Sequence, residues 1–133
     1  MLPFTLSCQH LPGGAVISVV GDVDATTSAH LDAYIAQLRR APGDHLVFNL
    51  QKMPFLDSSG LNVLLNARKL AHQHGGEIHL ANIQPAPARM LQITGVGQFL
   101  PLYDTLGHAI TAMLAFARPR PPAAPETRGD VSV

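Results

Sequence analysis

Two serines in the segment "FLDSSGL", residues 55–61, stand where a hydroxyl could act as a nucleophile, a helix cap or a phosphate acceptor. Ser58 and Ser59 lie between Asp57 and Gly60, at the point where an apolar run gives way to a helical pattern. A serine at the start of a helix can accept a hydrogen bond from a free backbone N–H group of the first turn. Because a D-S-S-G tetrapeptide is common, capping is the simplest interpretation of either hydroxyl.

The sequence offers little support for catalysis or for a metal site. A serine hydrolase needs a base, usually histidine, and an oxyanion hole, but the G-x-S-x-G pattern is absent and the seven histidines suggest no triad. Asp22, Asp24 and Asp57 could supply oxygen ligands to Mg²⁺, yet no phosphate-binding loop accompanies them. His72 and His74 are two residues apart and therefore point to different faces of a helix. We expect no enzyme activity, no metal and no cofactor.

A third role for the serine pair is to accept a phosphoryl group. The free N–H groups and the positive dipole end at a helix N-terminus tolerate a phosphate. The phosphate adds roughly −1.5 to −2 charge beside Asp57, and near Asp22 and Asp24 if those residues are neighbours. Such a charge can switch the binding of a partner without unfolding the protein.

The spacing of apolar residues predicts the elements that would position these side chains. The strands are expected at residues 4–8, 15–21, 45–50, 77–83 and 99–103, and the helices at residues 24–40, 61–74, 85–95 and 104–117. This β-β-α-β-α-β-α-β-α order predicts an α/β fold with a mostly parallel sheet and an antiparallel N-terminal edge strand. Asp24, Thr26 or Thr27 can cap the first helix. Because ligands collect at the carboxyl ends of parallel strands, we expect "GDVDATT" (21–27) to lie near the serine pair.

The composition favours a single folded domain with balanced charge. Hydrophobic residues make up 47% of the 133 residues, which is enough for a core, and the nine acidic residues balance the nine basic ones. A nucleic-acid-binding protein usually carries a basic excess, so we expect no such partner. Cys8 is the one cysteine, which fits a reducing cytoplasmic setting, and no apolar run is long enough to span a membrane. Residues 1–117 are predicted to form the domain, and the proline-rich residues 118–133 a disordered tail.

Four segments of the chain occur in an order and at a spacing that are specific together, although each alone is weak. They are "GDVD" (21–24), "LVFNLQKMPFLDSSGLNVLL" (46–65), "GGEIHLANIQPAPARMLQITGV" (75–96) and "FLPLYDTLGHAI" (99–110). In these segments the chain resembles the bacterial anti-sigma factor antagonists, which are single STAS domains. The resemblance covers about residues 4–116 and implies a STAS-like fold, consistent with the predicted order of strands and helices.

The resemblance also implies a function. In this family the unphosphorylated antagonist binds an anti-sigma factor, which is also a serine kinase, and so frees a sigma factor. The kinase phosphorylates the antagonist, which then no longer binds the kinase, and a serine phosphatase regenerates the unphosphorylated form. The resemblance implies a cytoplasmic regulator, and we expect a monomer or weak dimer.

The residues that match the family's motif are predicted to form the switch. The family's phosphorylated serine directly follows the motif aspartate, which makes Ser58 the expected acceptor and leaves Ser59 as the helix-capping neighbour. The surface predicted to bind partners consists of Asp22, Asp24, Thr26, Asp57, Ser58, Ser59, Gly60, Asn62, Asn66 and Lys69. Two positions depart from the family pattern, since Asn62 replaces a commonly small residue and Gly97 a commonly acidic one.

Two other functions remain open from the sequence. The chain could be a STAS module that is not phosphorylated, either a scaffold in a stress complex or an accessory subunit beside a transporter ATPase. A small enzyme that uses Ser58 with a carboxylate ranks last, because neither a base nor an oxyanion hole is evident.

Overall fold

A five-stranded mixed sheet with four α-helices accounts for most of residues 3–116, the part of the chain that the computed structural model describes. The strands are β1 (Thr5–Leu11), β2 (Gly14–Val20), β3 (His45–Lys52), β4 (Ile78–Ala81) and β5 (Leu102–Tyr103). The helices are α1 (Ser28–Leu38), α2 (Ser58–Gln73), α3 (Pro85–Thr94) and α4 (Leu106–Phe116). The predicted tail at 118–133 lies outside the described residues.

The strands follow one another across the sheet in the order β1-β2-β3-β4-β5. β1 pairs with β2 in antiparallel fashion, and the remaining neighbours are parallel. Leu11 stands opposite Gly14, so a two-residue turn closes the hairpin, and Gly13 adopts a φ of 82° that glycine tolerates best. The predicted α/β fold with an antiparallel N-terminal edge strand is confirmed.

Each face of the sheet has its own apolar core. On one face Ile17 and Phe48 pack against buried residues of α1, α2 and α3. Their neighbours Val16 and Val47 point to the other face and pack against Met113 of α4, because successive side chains of a strand alternate between faces. α1 and α2 therefore lie together on one side, and their first residues follow the carboxyl ends of β2 and β3.

The structure differs from the predicted boundaries at several elements. α1 begins at Ser28 rather than at residue 24, since residues 24–27 form a turn, and α2 begins at Ser58 rather than at residue 61. The predicted strand at 99–103 is reduced to Leu102–Tyr103, preceded by a 3₁₀ turn at Val96–Phe99. The predicted edge position of this strand is confirmed, and the carbonyl of Pro101 accepts from the N–H of Leu80 at 2.9 Å.

None of the helices within residues 3–116 has the length and apolar character needed to cross a bilayer.

Candidate functional site

Asp57 caps α2 and fixes the positions of both serines. Its Oδ1 accepts hydrogen bonds from the backbone N–H groups of Ser59, at 2.9 Å, and Gly60, at 3.1 Å. Ser59 is the second residue of the helix and donates its hydroxyl to the same Oδ1 at 2.5 Å. The prediction that Ser59 caps the helix is therefore wrong. Aspartate and serine are about equally good caps, and the aspartate occupies the position whose backbone is extended.

Ser58 is the first residue of α2, and its side chain is exposed. Its hydroxyl makes no hydrogen bond with any of the described residues 3–116. Two adjacent serines thus differ in one respect that matters for modification. The Ser59 hydroxyl is engaged by the cap, and the Ser58 hydroxyl is open to solvent.

The loop after β2 is joined directly to the start of α2. Val23 donates its N–H to the carbonyl of Phe55 at 2.9 Å, and its own carbonyl accepts from the N–H of Asp57 at 3.1 Å. The N–H of Ala25 also helps to lower the pKa of the Asp57 carboxyl. The prediction that residues 21–27 lie beside the serine pair is confirmed, because β2 and β3 are neighbours and their extensions remain paired at Val23 and Leu56.

The Asp57 carboxyl is held in its charged form. The hydrogen bond from the Ser59 hydroxyl lowers its pKa below the usual value, and burial opposes this effect. The backbone N–H groups of Gly60, Ser59 and Ala25 lower the pKa further, since each stabilises the carboxylate. A negative charge therefore stands beside the Ser58 hydroxyl at neutral pH.

Asp24 closes the loop that carries it. Its Oδ1 accepts from the N–H groups of Thr26 and Thr27, at 2.9 and 3.0 Å. The Thr27 hydroxyl donates to the carbonyl of Asp22 at 2.7 Å. Thr27 occupies the N-cap position of α1 but makes no side-chain capping bond, so Asp24 stabilises the turn before the helix rather than the helix itself.

Gly60 is buried, and because it has no side chain the loop and the helix can lie close together. A Cβ atom at this position would lie 2.5 Å from Cδ1 of Leu56 and 2.6 Å from Cγ1 of Val23. Gly60 therefore positions the predicted binding surface and is not itself part of the exposed surface.

Three predicted contact residues continue from Ser58 along the solvent face of α2. Asn62, Asn66 and Lys69 are all exposed and follow Ser58 at helical spacing. We call Ser58, Asn62, Asn66 and Lys69 the switch surface. Its role in binding a partner stays a prediction. Among residues 3–116, no group of three histidine, cysteine or acidic side chains is arranged to hold a metal ion.

Comparison with known proteins identifies the fold family. The STAS domain model matches residues 5–109 of the chain. The chain belongs to the STAS domain family.

Relatives of this STAS domain are named as anti-sigma factor antagonists. The anti-sigma F factor antagonist of Paenibacillus polymyxa is 30% identical over 109 residues, which cover 81% of this chain and 93% of that protein. A solved structure of an anti-sigma factor antagonist from Mycobacterium paratuberculosis is 30% identical, covers 84% of this chain and 94% of that chain, and superposes with a TM-score of 0.74. The anti-sigma factor antagonist SpoIIAA in its unphosphorylated form shares the fold, with a TM-score of 0.70, 22% identity and coverage of 85% and 97%.

A groove between the start of α2 and α3 was missed by the sequence analysis. It has a volume of about 550 Å³, and Asp57, Ser58 and Arg89 contribute to its walls. Phe55 and Ile93 on opposite walls are 48% and 76% exposed, so the groove carries large apolar side chains at the protein surface. A second apolar stripe at residues 86, 90 and 93 of α3 was the signal in the sequence, because it lies beside the stripe that packs on the sheet.

A polar cluster beneath α4 was also unforeseen. Nδ1 of His45 lies 3.4 Å from Nε2 of His79, and Nδ1 of His79 lies 3.2 Å from the Tyr103 hydroxyl. Burial lowers the pKa of His79 to about 4 and also lowers the pKa of His45. Both rings are therefore neutral at pH 7. They stand on the face of the STAS sheet that includes Val47, away from the switch surface.

Proposed function

We propose that this STAS domain is a phosphorylation-switched anti-sigma factor antagonist. The unphosphorylated form binds an anti-sigma factor that is also a serine kinase, and a sigma factor is released. Phosphorylation of Ser58 ends this binding, and a serine phosphatase restores it. The protein is the substrate of this chemistry rather than an enzyme, and it acts in the cytoplasm.

The observation that carries the proposal is the different state of the two adjacent hydroxyls. A kinase needs a hydroxyl that can approach the γ-phosphoryl group in line with the leaving group. Ser58 is exposed and its hydroxyl makes no hydrogen bond within residues 3–116, whereas the Ser59 hydroxyl is bound to Asp57. In the transfer, Oγ of Ser58 bonds to the γ-phosphorus as the bond to ADP breaks, and the hydroxyl proton passes to a base of the kinase.

The surroundings of Ser58 explain how one phosphate changes partner binding. The charged Asp57 carboxylate stands beside it, and the loop with Asp22 and Asp24 is joined to the same helix start. A phosphate adds roughly −1.5 to −2 charge to this end of the switch surface. A partner that covers Ser58 would have to desolvate that charge next to a carboxylate, so its affinity falls.

Purified protein tests the proposal when it is incubated with ATP and the kinase that it captures from native lysate. We expect mass spectrometry to find one phosphate at Ser58. Ser59→Ala is the matched control and should still be phosphorylated, whereas Ser58→Ala should not. Equal phosphorylation of Ser58→Ala would overturn the site, and capture of a transporter ATPase instead of a kinase would favour the accessory-subunit alternative.

A further inference from the structure

The groove between α2 and α3 places one cationic side chain on the wall that faces Ser58. Ser58 and Asp57 lie on one wall, and Arg89 lies on the other with Met90 and Ile93 of α3. We call this space the α2–α3 groove. Among the described residues that line it, Arg89 is the one cation and Asp57 the one anion.

Arg89 has no structural task in the described part of the protein. It is exposed, and its guanidinium forms no hydrogen bond or ion pair within residues 3–116. Two other arginines of the domain are engaged. Arg68 pairs with Glu77 at 3.1 Å, and Arg39 donates to three backbone carbonyls, including that of Ala67 at 3.1 Å.

The Asp57 carboxylate forms no ion pair with Arg89 within residues 3–116. Its Oδ1 is already bound by three donors from the start of α2. The guanidinium across the groove is thus available for a second anion on the same wall. A phosphate suits it well, because the planar fork of arginine binds two phosphate oxygens at once.

We propose that Arg89 binds the phosphate of phosphorylated Ser58 across the α2–α3 groove. The inference rests on the proposed phosphorylation of Ser58 and adds the residue that binds the new phosphate. The pair bridges the first turn of α2 and the middle of α3. The unphosphorylated protein presents a free cation at the groove, and the phosphorylated protein presents a neutralised one.

Full-length protein with phosphoserine incorporated at position 58 during synthesis tests this without any kinase. The second pKa of the phosphate is followed by ³¹P NMR during a pH titration. Arg89→Gln should raise this pKa by about half a unit or more, because a nearby cation favours the dianion. Arg89→Lys should restore part of the shift, since it keeps the charge without the fork.

Arg40→Gln is the matched control. Arg40 is exposed and lies with Gly13 and Asp44 near the first residues of β2 and β3, at the end of the sheet opposite to Ser58. Its removal should leave the phosphate pKa unchanged, and thermal melts check that each variant is folded. The same phosphate pKa in the parent and in Arg89→Gln would overturn the proposal. Failure of a kinase to modify Ser58 would count against the proposed function alone.

Discussion

Two polar clusters of this STAS domain differ in how completely their groups are bound. Beneath α4, the His79 ring is fully buried between His45 and Tyr103. At the start of α2, Asp57 is bound by several donors while the neighbouring Ser58 hydroxyl stays open. Any substitution in the buried cluster is expected to destabilise the fold, because it leaves a buried polar group without its partner. At the exposed site, a residue held by several hydrogen bonds stands beside a hydroxyl that is open to solvent, as the proposed switch requires.

The largest expected effect is the pH dependence of the free energy of unfolding that the buried cluster causes. Burial lowers the pKa of His79 from 6.5 to about 4, so the unfolded chain binds a proton more readily than the folded chain in that range. The free energy of unfolding is therefore unaffected by His79 above pH 6.5. It falls by about 3 kcal/mol as the pH is lowered toward 4, because protonation then favours the unfolded chain. Urea denaturation at several pH values measures this loss.

His79→Gln supplies the control for the pH effect, since glutamine can hydrogen-bond but does not titrate. The other titratable groups are present in both proteins, so the two declines are compared with only the imidazole of position 79 removed. The decline from pH 6.5 to 4 should be clearly shallower in His79→Gln. An equally steep decline would mean that His79 does not carry the proton linkage.

A smaller effect is expected from Gly60→Ala, which disturbs the fixed part of the exposed site. The new methyl group meets Leu56 and Val23 at distances that force both side chains to shift. Overpacking costs about 1–3 kcal/mol, and the better helix propensity of alanine offsets up to about 1 kcal/mol. We expect a net loss of about 1–2 kcal/mol in the free energy of unfolding, measured in urea. Asn62→Ala on the exposed face should change it by less than about 0.5 kcal/mol, and equal values would contradict the packing argument.

The smallest effect separates the two serines. Ser59→Ala removes the hydroxyl that is bound to Asp57 and should lower the free energy of unfolding by about 1 kcal/mol. Ser58→Ala removes a hydroxyl without a partner in residues 3–116 and should change it by less than about 0.5 kcal/mol. Thermal or urea unfolding of both variants measures the difference. If Ser58→Ala were the more destabilising variant, Ser58 would have a structural role and the comparison would fail.

Much of the fold could be predicted because the decisive signals are local. Turn residues around Gly13 and the alternation of apolar strands with amphipathic helices determine the order of elements, and parallel crossovers then bring residues 21–27 beside Ser58. The choice of cap could not be predicted. Asp57, Ser58 and Ser59 have similar capping preferences, and only the backbone conformation at Asp57 selects among them.

The remaining features depend on long-range packing. The tertiary arrangement places Arg89 of α3 in the same groove as Ser58, and no local periodicity contains that information. His79 lies in a strand of apolar residues, but the sequence does not show that α4 covers its face or that Tyr103 of the edge strand reaches its ring. The local sequence does not distinguish a buried histidine from an exposed one, because burial is determined by the tertiary structure.

The cap at Asp57 has a consequence for how often the site can be used. The residue that caps the helix, Asp57, and the residue proposed to be phosphorylated, Ser58, are adjacent but distinct. Adding or removing a phosphate in the proposed cycle therefore leaves the Asp57 cap of the helix in place. If Ser58 is phosphorylated as proposed, one molecule can be phosphorylated, dephosphorylated by hydrolysis and phosphorylated again without a cycle of local unfolding.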